Sequence, residues 1–315
     1  MRNICVIGGS RYFGKHLVAL ERDAGHAVTV INRGSAEPLP GTTRLVADRD
    51  DERQLREALG ERTFDVVIDQ ICYTPRQAAL ARRVFAGRTG RYVMTSTMEV
   101  YDPATFAVPP AQPLPPVPSA GTDTGAALTE DHLDLAALPP ARGGGAPDPA
   151  TAYAEGKRRA EAVLLTDPEF DTVSVRTAHV LGGGAADFTG RLAHYVERIA
   201  ADRPLDVHPD PRPTSFVHHE EIARFLHWAA AGTFTGPVNA ASHGALDVTG
   251  LAELIAAGGG PRPRYRTVRD GVASPFSFDR SYAMDNGRAA RLGFAFSRVA
   301  DWLPGAVAEA RAQAA

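Results

Sequence analysis

The chain has 315 residues and a mass of 33.5 kDa, enough for one large or two modest domains. Its 34 basic and 37 acidic residues leave a net charge of −3, with 44% hydrophobic and 23% charged residues, the balance of a globular domain and not of a nucleic-acid binder. Two cysteines, Cys5 and Cys72, exclude a disulfide framework and a multi-cysteine metal site, and no apolar run is long enough for a membrane span.

The opening MRNICVIGG enters a strand pattern directly, without a secretory leader, so a cytoplasmic location is expected. Residues 3–7 are apolar and β-branched, a buried strand closed by Gly8 and Gly9. A helix follows over 12–23, with Leu17, Val18 and Leu20 on one face. Strands are then predicted over 26–31 and 43–47, a short helix over 51–59 and a strand over 64–70. A long helical stretch over 75–90 leads to a fifth strand over 91–96. Strand alternating with helix implies a parallel sheet with helices on both faces, a doubly wound α/β fold. From 102 to 150 the periodicity gives way to PPAQPLPPVP and PPARGGGAP, a loop long enough to read as a lid or as a disordered insertion. Helical periodicity resumes with YAEGKRRAEAVLL, followed by the strand DTVSVRTA, a helix from Leu192 and shorter elements. No internal repeat is present.

Gly8-x-x-Arg11-x-x-Gly14 lies between the first strand and its helix. Glycine there lets the backbone approach a pyrophosphate, and the helix N-terminus presents N–H groups and a positive dipole end. The turn Gly8, Gly9, Ser10, Arg11, Tyr12, Phe13 and Gly14 is therefore a candidate dinucleotide loop. An acidic residue at the end of the second strand would hold an NAD ribose. Asn32 and Arg33 stand there instead, and Arg33 with Arg11 suits a 2′-phosphate, so NADP is expected over NAD. Asp48, after the third strand, suits either an adenine contact or a helix N-cap.

Tyr153-Ala-Glu-Gly-Lys157 sets a tyrosine and a lysine on one helix face. A phenol that titrates near pH 10 becomes an acid–base group at neutral pH when positive charge favours its anion. Tyr153 can then exchange a proton with a hydroxyl while a nicotinamide carries hydride. Thr97 closes the fifth strand, at the rim where α/β sheets bind ligands, and is placed to bond the same substrate oxygen. Met98 and Glu99 adjoin it, and Glu99 is a candidate extra acid–base group. His179, after the VRTA strand, is a candidate substrate contact. His218-His219-Glu220-Glu221 has the composition of a metal site, but adjacent histidines cannot share a helix face. That segment reads as a helix start with an acidic first turn, and no metal is expected. Cys72 reads as packing.

Together these residues resemble the extended short-chain dehydrogenase/reductase family, the NAD-dependent epimerase/dehydratase family. The resemblance runs through the glycine loop, GHAVTVINRG, Asp48, FDVVID, Thr97-x-x-x-Tyr101, Tyr153 with Lys157, VRTAHVLG, FVHHEEIA, PVNAAS and DNGRAARLGF. It implies a Rossmann-type domain over 1–181 with the insertion 102–150, and a smaller, mainly substrate-binding domain over 182–315, some of whose segments return to the first. It implies Thr97, Tyr153 and Lys157 as the catalytic set, with Lys157 also holding the cofactor ribose. It further implies a homodimer paired through the helices at 75–88 and 153–165. Three features depart from the family pattern. Arg11 takes the place of the middle glycine, the gap from Thr97 to Tyr153 is long and Pro-rich, and Thr214 stands where nucleotide-sugar enzymes carry a diphosphate-gripping arginine. Arg212 lies two residues away and is the candidate substitute.

The function expected from this reading is an NADP(H)-dependent oxidoreductase acting on the ketone or secondary alcohol of a small polar molecule. The alternative within the same chemistry is an epimerase or dehydratase on a nucleotide-activated sugar that retains its NAD(P). A third reading, a cofactor-binding regulator or RNA-associated protein without turnover, is opposed by the intact Thr97/Tyr153/Lys157 set and by the net charge. Neither a nucleic-acid nor a membrane partner is expected.

Overall fold

The computed structural model describes the chain apart from residues 36, 38, 102–126, 139–147, 167, 270 and 315. Most of the insertion, and with it the choice between lid and disorder, lies outside the described residues. The alternating run consists of β1 (Asn3–Ile7), α1 (Phe13–Asp23), β2 (Ala27–Asn32), β3 (Thr43–Val46), α2 (Glu52–Leu59), β4 (Phe64–Asp69), α3 (Pro75–Phe85) and β5 (Thr89–Thr97). It continues with α4 (Pro149–Leu165), β6 (Asp171–Thr177), β7 (His179–Leu181), α5 (Arg191–Ala200), β8 (Leu205–Val207) and β9 (Phe216–His218). The remainder is α6 (His219–Ala231), β10 (Gly236–Ala240), α7 (Val248–Ala257), β11 (Tyr265–Thr267), α8 (Gly287–Leu292) and α9 (Val299–Ala314).

Seven strands form one sheet in the order β3-β2-β1-β4-β5-β6-β10. The pairings among β1 to β6 are all parallel. Sequence order reverses between β1 and β4, and the crevice outside strand carboxyl ends at such a point is where open α/β sheets bind ligands. The glycine loop leaves β1 there.

The described chain divides into two compact units. The first comprises 1–101, 130–177 and 223–238. Its core includes Val67, Leu80, Phe85, Tyr92, Met94 and Leu164. The second comprises 127–129, 178–222 and the residues from 239 onward. Its core includes Leu181, Tyr195, Phe216, Leu251, Phe276 and Leu303. In the second unit β7 pairs with β9 and β8 with β11, both parallel.

Two boundaries differ from the sequence expectation. The helix read over 75–90 stops at Phe85, because Gly87 takes a left-handed φ of 70° and Thr89 already pairs with Phe64 in the sheet. The helix that carries Tyr153 begins earlier, at Pro149. Asp148 caps it by accepting the N–H groups of Ala150 and Thr151, and Pro149 fits a first turn that needs no N–H. Tyr153 therefore lies a full turn inside the helix. The strand and helix spans of the alternating run otherwise agree with the pattern to within a residue or two.

Candidate active site

The backbone of the glycine loop is closely packed against its neighbours. A Cβ on Gly9 would lie 2.9 Å from both Val6 and Val18, and one on Gly14 would lie 2.8 Å from the Gly9 Cα. Tyr12 adopts φ 49° at the N-terminus of α1, a conformation costly for a bulky residue, and its side chain is buried. α1 has no side-chain cap and no acidic residue in its first turn, so its own first turn does not neutralise its positive end. These features fit an anionic dinucleotide. Phe13 is half-buried with its ring edge-on to Tyr12. Arg11 is exposed, and its carbonyl accepts the Gly14 N–H.

The end of β2 is tied to this loop. Asn32 donates to the Ser10 hydroxyl at 2.9 Å and accepts the Gly34 N–H at 2.8 Å, while Arg33 is exposed beside it. Asp48 accepts the Asp50 N–H at 2.9 Å, and the N-cap of α2 is Asp51.

β4 ends in a buried polar cluster that sequence reading missed. Asp69 accepts from Arg49 at 2.8 Å, from the Tyr92 hydroxyl at 2.5 Å and from the Ile71 N–H at 2.9 Å. Arg49 also donates to the Ile71 carbonyl at 3.0 Å. Burial, with the Asp69 charge adding to it, pushes the Cys72 thiol up to about 11, so this cysteine is inert at neutral pH.

β5 and α4 meet beside that cluster. The Lys157 ammonium is buried and donates to the Thr95 carbonyl at 2.7 Å, which lays α4 along the carboxyl end of β5. Thr97, two residues further on, accepts the Glu99 N–H through its hydroxyl oxygen at 3.3 Å and keeps its own hydrogen for donation. Thr95 Oγ1 and Ser96 Oγ are buried and find no partner among the described residues. Tyr153, one turn before Lys157, is 39% exposed, and its ring lies 6.1 Å from that of Tyr73. Burial pulls the Lys157 ammonium down to about 8 against the opposing pull of Cys72 and Asp69. Met98 is buried in the turn Met98–Tyr101, and Glu99 in the same turn is half-buried.

Two ties hold α4 in place. Arg158 donates to the Val100 carbonyl at 2.8 Å. Arg176 on β6 pairs with Glu161 at 2.8 Å, both fully buried, and also donates to the Tyr101 hydroxyl and the Glu130 carbonyl. Composition held a signal for one part of this site. Only two of the 34 basic residues are lysines, Lys15 and Lys157, and of the two Lys157 is buried whereas Lys15 is exposed.

His179 and Arg212 belong to the second unit. His179 is buried among Phe216, Phe276 and Phe278, with Arg191 3.3 Å from its Nδ1. A guanidinium only donates, so Nδ1 accepts and the hydrogen sits on Nε2. Burial, and then the Arg191 charge, hold this imidazole well below the usual histidine range. Arg212 pairs with exposed Asp210 at 2.7 Å, and Thr214 is fully buried with its backbone bonded to Leu246. His219 opens α6 with Glu220 and Glu221 in its first turn. Among the described residues no three His, Cys, Asp or Glu side chains are grouped to hold a metal ion.

By sequence the chain matches no family model and no curated protein. By structure it matches the Bordetella bronchiseptica enzyme WbmH, solved with NAD+, at TM-score 0.70 and 18% identity, covering 99% of this chain and 98% of that one. It matches the UDP-glucose 4-epimerase of Thermotoga maritima, solved with UDP-glucose, at 0.69 and 17%, covering 99% and 100%. It matches the dTDP-glucose 4,6-dehydratase of Bacillus anthracis, solved with NAD, at 0.72 and 14%, covering 99% and 97%. The fold is Rossmann-like, with a seven-stranded sheet and a smaller C-terminal region. Over nearly the whole chain it is the fold of the NAD-dependent epimerases and dehydratases, the extended short-chain dehydrogenase/reductase enzymes. Among the described residues no helix is long and apolar enough to cross a membrane.

Proposed function

We propose that this chain is an NAD(P)-dependent enzyme that oxidises a ring hydroxyl of a nucleotide-activated sugar and reduces the product again, as an epimerase or dehydratase does. The observation that carries the reading is the 2.7 Å bond from Lys157 to the Thr95 carbonyl, which joins the helix of Tyr153 to the strand of Thr97. The likeness in fold to an epimerase solved with UDP-glucose and a dehydratase solved with NAD supports the substrate class.

The glycine loop and the start of α1 fit the diphosphate of a dinucleotide, Asp48 its adenine side and Lys157 its ribose hydroxyls. The bound nicotinamide supplies the hydride acceptor and donor. Tyr153 takes the proton of the sugar hydroxyl as its carbon is oxidised, and Thr97 donates a hydrogen bond to the same oxygen. The Lys157 charge favours the Tyr153 phenolate. Arg33, with Asn32 in place of an acid, supports a preference for NADP over NAD.

The test is to denature the purified protein and assay the released dinucleotide, then to offer UDP- and dTDP-hexoses. Retained dinucleotide and conversion of a nucleotide sugar are expected. A second reading, an NADPH-dependent ketoreductase of a small polar molecule, draws on Arg212, whose guanidinium is occupied by Asp210. A protein that purifies empty and consumes NADPH with a ketone would replace the first reading by the second. We propose further that two copies pair through α3 and α4, and a monomer mass by light scattering at micromolar concentration would reject that.

A further inference from the structure

The segment that follows β4 reaches the lysine and the tyrosine at once. The Lys157 Nζ lies 4.6 Å from the centroid of the Tyr73 ring, and the same ring lies 6.1 Å from that of Tyr153. The backbone of Tyr73 presses on α4 between them. A Cβ on Gly156 would come within 2.5 Å of the Tyr73 carbonyl oxygen, so only glycine at 156 admits this approach.

The segment is held by bonds on its other side. The Tyr73 N–H donates to Gln77 Oε1 at 2.6 Å, and the Gln77 amide donates to Asp50 at 2.9 Å. Arg49 and Asp69 fix Ile71 from both its carbonyl and its N–H. The ammonium thus sits in a slot between the Thr95 carbonyl and an aromatic face, and an aromatic face attracts a cation. Tyr73 is 42% exposed, whereas Lys157, under its ring, is 2% exposed.

We propose that Tyr73 is a positioning residue for the acid–base pair: its ring and backbone seat the Lys157 ammonium against β5 and shield it from water on the side that Tyr73 covers. This rests on the reading of Tyr153 and Lys157 as that pair. The charged and titratable groups around the ammonium include Asp69 at the end of β4, Cys72 in the segment after it, Arg49 from the segment after β3, and Glu161 from α4. Loss of the ring removes an attraction that favours the cation, but burial is the largest influence on the lysine and favours its neutral form, so opening the slot is expected to restore ordinary lysine basicity.

The chain has two lysines, so protein labelled with carbon-13 at the lysine ε position gives two side-chain signals, and Lys157→Arg assigns them. Each is titrated without ligand from neutral pH to about pH 11. Tyr73→Phe, which keeps the ring, is expected to leave the Lys157 titration in place. Tyr73→Ala is expected to move it upward by roughly one unit or more, toward the Lys15 curve. An unchanged Lys157 titration in Tyr73→Ala overturns the proposal. If that variant does not fold, Gly156→Ala, which displaces the Tyr73 backbone from α4, takes its place: an upward shift of Lys157 supports the proposal and an unmoved one overturns it. The two readings fail separately. Loss of turnover in Tyr153→Phe with an unmoved Lys157 in Tyr73→Ala sinks this proposal alone. A moved Lys157 with full turnover in Tyr153→Phe upholds the seating role and removes the acid–base assignment.

Discussion

Tyr153 and Lys157 are one helical turn apart yet live in different environments, the phenol at the surface and the ammonium fully enclosed. That division suits a pair in which one group meets the substrate and the other acts on it through charge. Tyr153→Phe removes the phenol hydroxyl and keeps the ring. Turnover is expected to fall roughly 10²–10⁴-fold with dinucleotide affinity unchanged, read by steady-state kinetics beside a binding titration. Arg33 is exposed at the end of β2, where it meets water. Arg33→Asp is expected to weaken NADPH binding by about 1–3 kcal/mol, the scale of one charge-assisted bond, and to spare NADH. Equal affinities of the unaltered protein for the two dinucleotides would refute the NADP preference.

At the scale of elements, the position of α4 decides whether the site exists. Its apolar face alone would let it slide or rotate, since burial has no direction. Polar ties supply the register. Lys157 bonds Thr95, Arg158 bonds Val100, and Glu161 is shared by Arg176 and the Ser174 hydroxyl of β6. Taking one partner from a fully buried ion pair leaves the other charge unsolvated. Arg176→Met is therefore expected to cost about 3–5 kcal/mol in urea denaturation. Replacing both partners together, Arg176→Met with Glu161→Leu, is expected to recover a large part of that loss, because no orphan charge remains. A single variant as stable as the parent would show that the pair does not anchor α4.

For the molecule as a whole, His227 in the first unit and His179 in the second are expected to respond to pH in opposite directions. In the first unit His227 on α6 lies 3.1 Å from the buried Glu21 carboxylate of α1, which raises its affinity for a proton. The stability it contributes is present in full below the ordinary histidine value and is lost as pH rises through its raised folded value. In the second unit His179 is held neutral by burial, so its contribution is present above the ordinary value and is lost as pH falls toward its depressed folded value. Thermal melts between about pH 5 and 8 are expected to separate the two. His227→Gln flattens the loss on the alkaline side, and His179→Phe flattens the loss on the acid side. A His179→Phe profile parallel to that of the parent would show that the ring is not buried neutral.

Local chemistry is what a sequence carries most directly. The period-two and period-3.6 patterns of the first hundred residues, the glycines at 8, 9 and 14 and the four-residue step from Tyr153 to Lys157 are all written in neighbouring residues. They sufficed for the doubly wound sheet, for the strand-to-helix turn and for placing the tyrosine and lysine on one helix. Helix ends were less legible, because Gly87, two residues past Phe85, passes in sequence for a glycine tolerated within the helical run, and Asp148-Pro149 was absorbed into a proline-rich run. What the tertiary structure alone decided are the contacts between residues distant in the chain. Examples are Lys157 with Thr95, Tyr73 with Gly156, Arg49 with Asp69 and Arg176 with Glu161. It also decided that 223–238 returns to the first unit. Each of these depends on strand register and on the depth at which a helix packs. Those quantities are set by the summed burial of many side chains, and no short stretch of sequence encodes them.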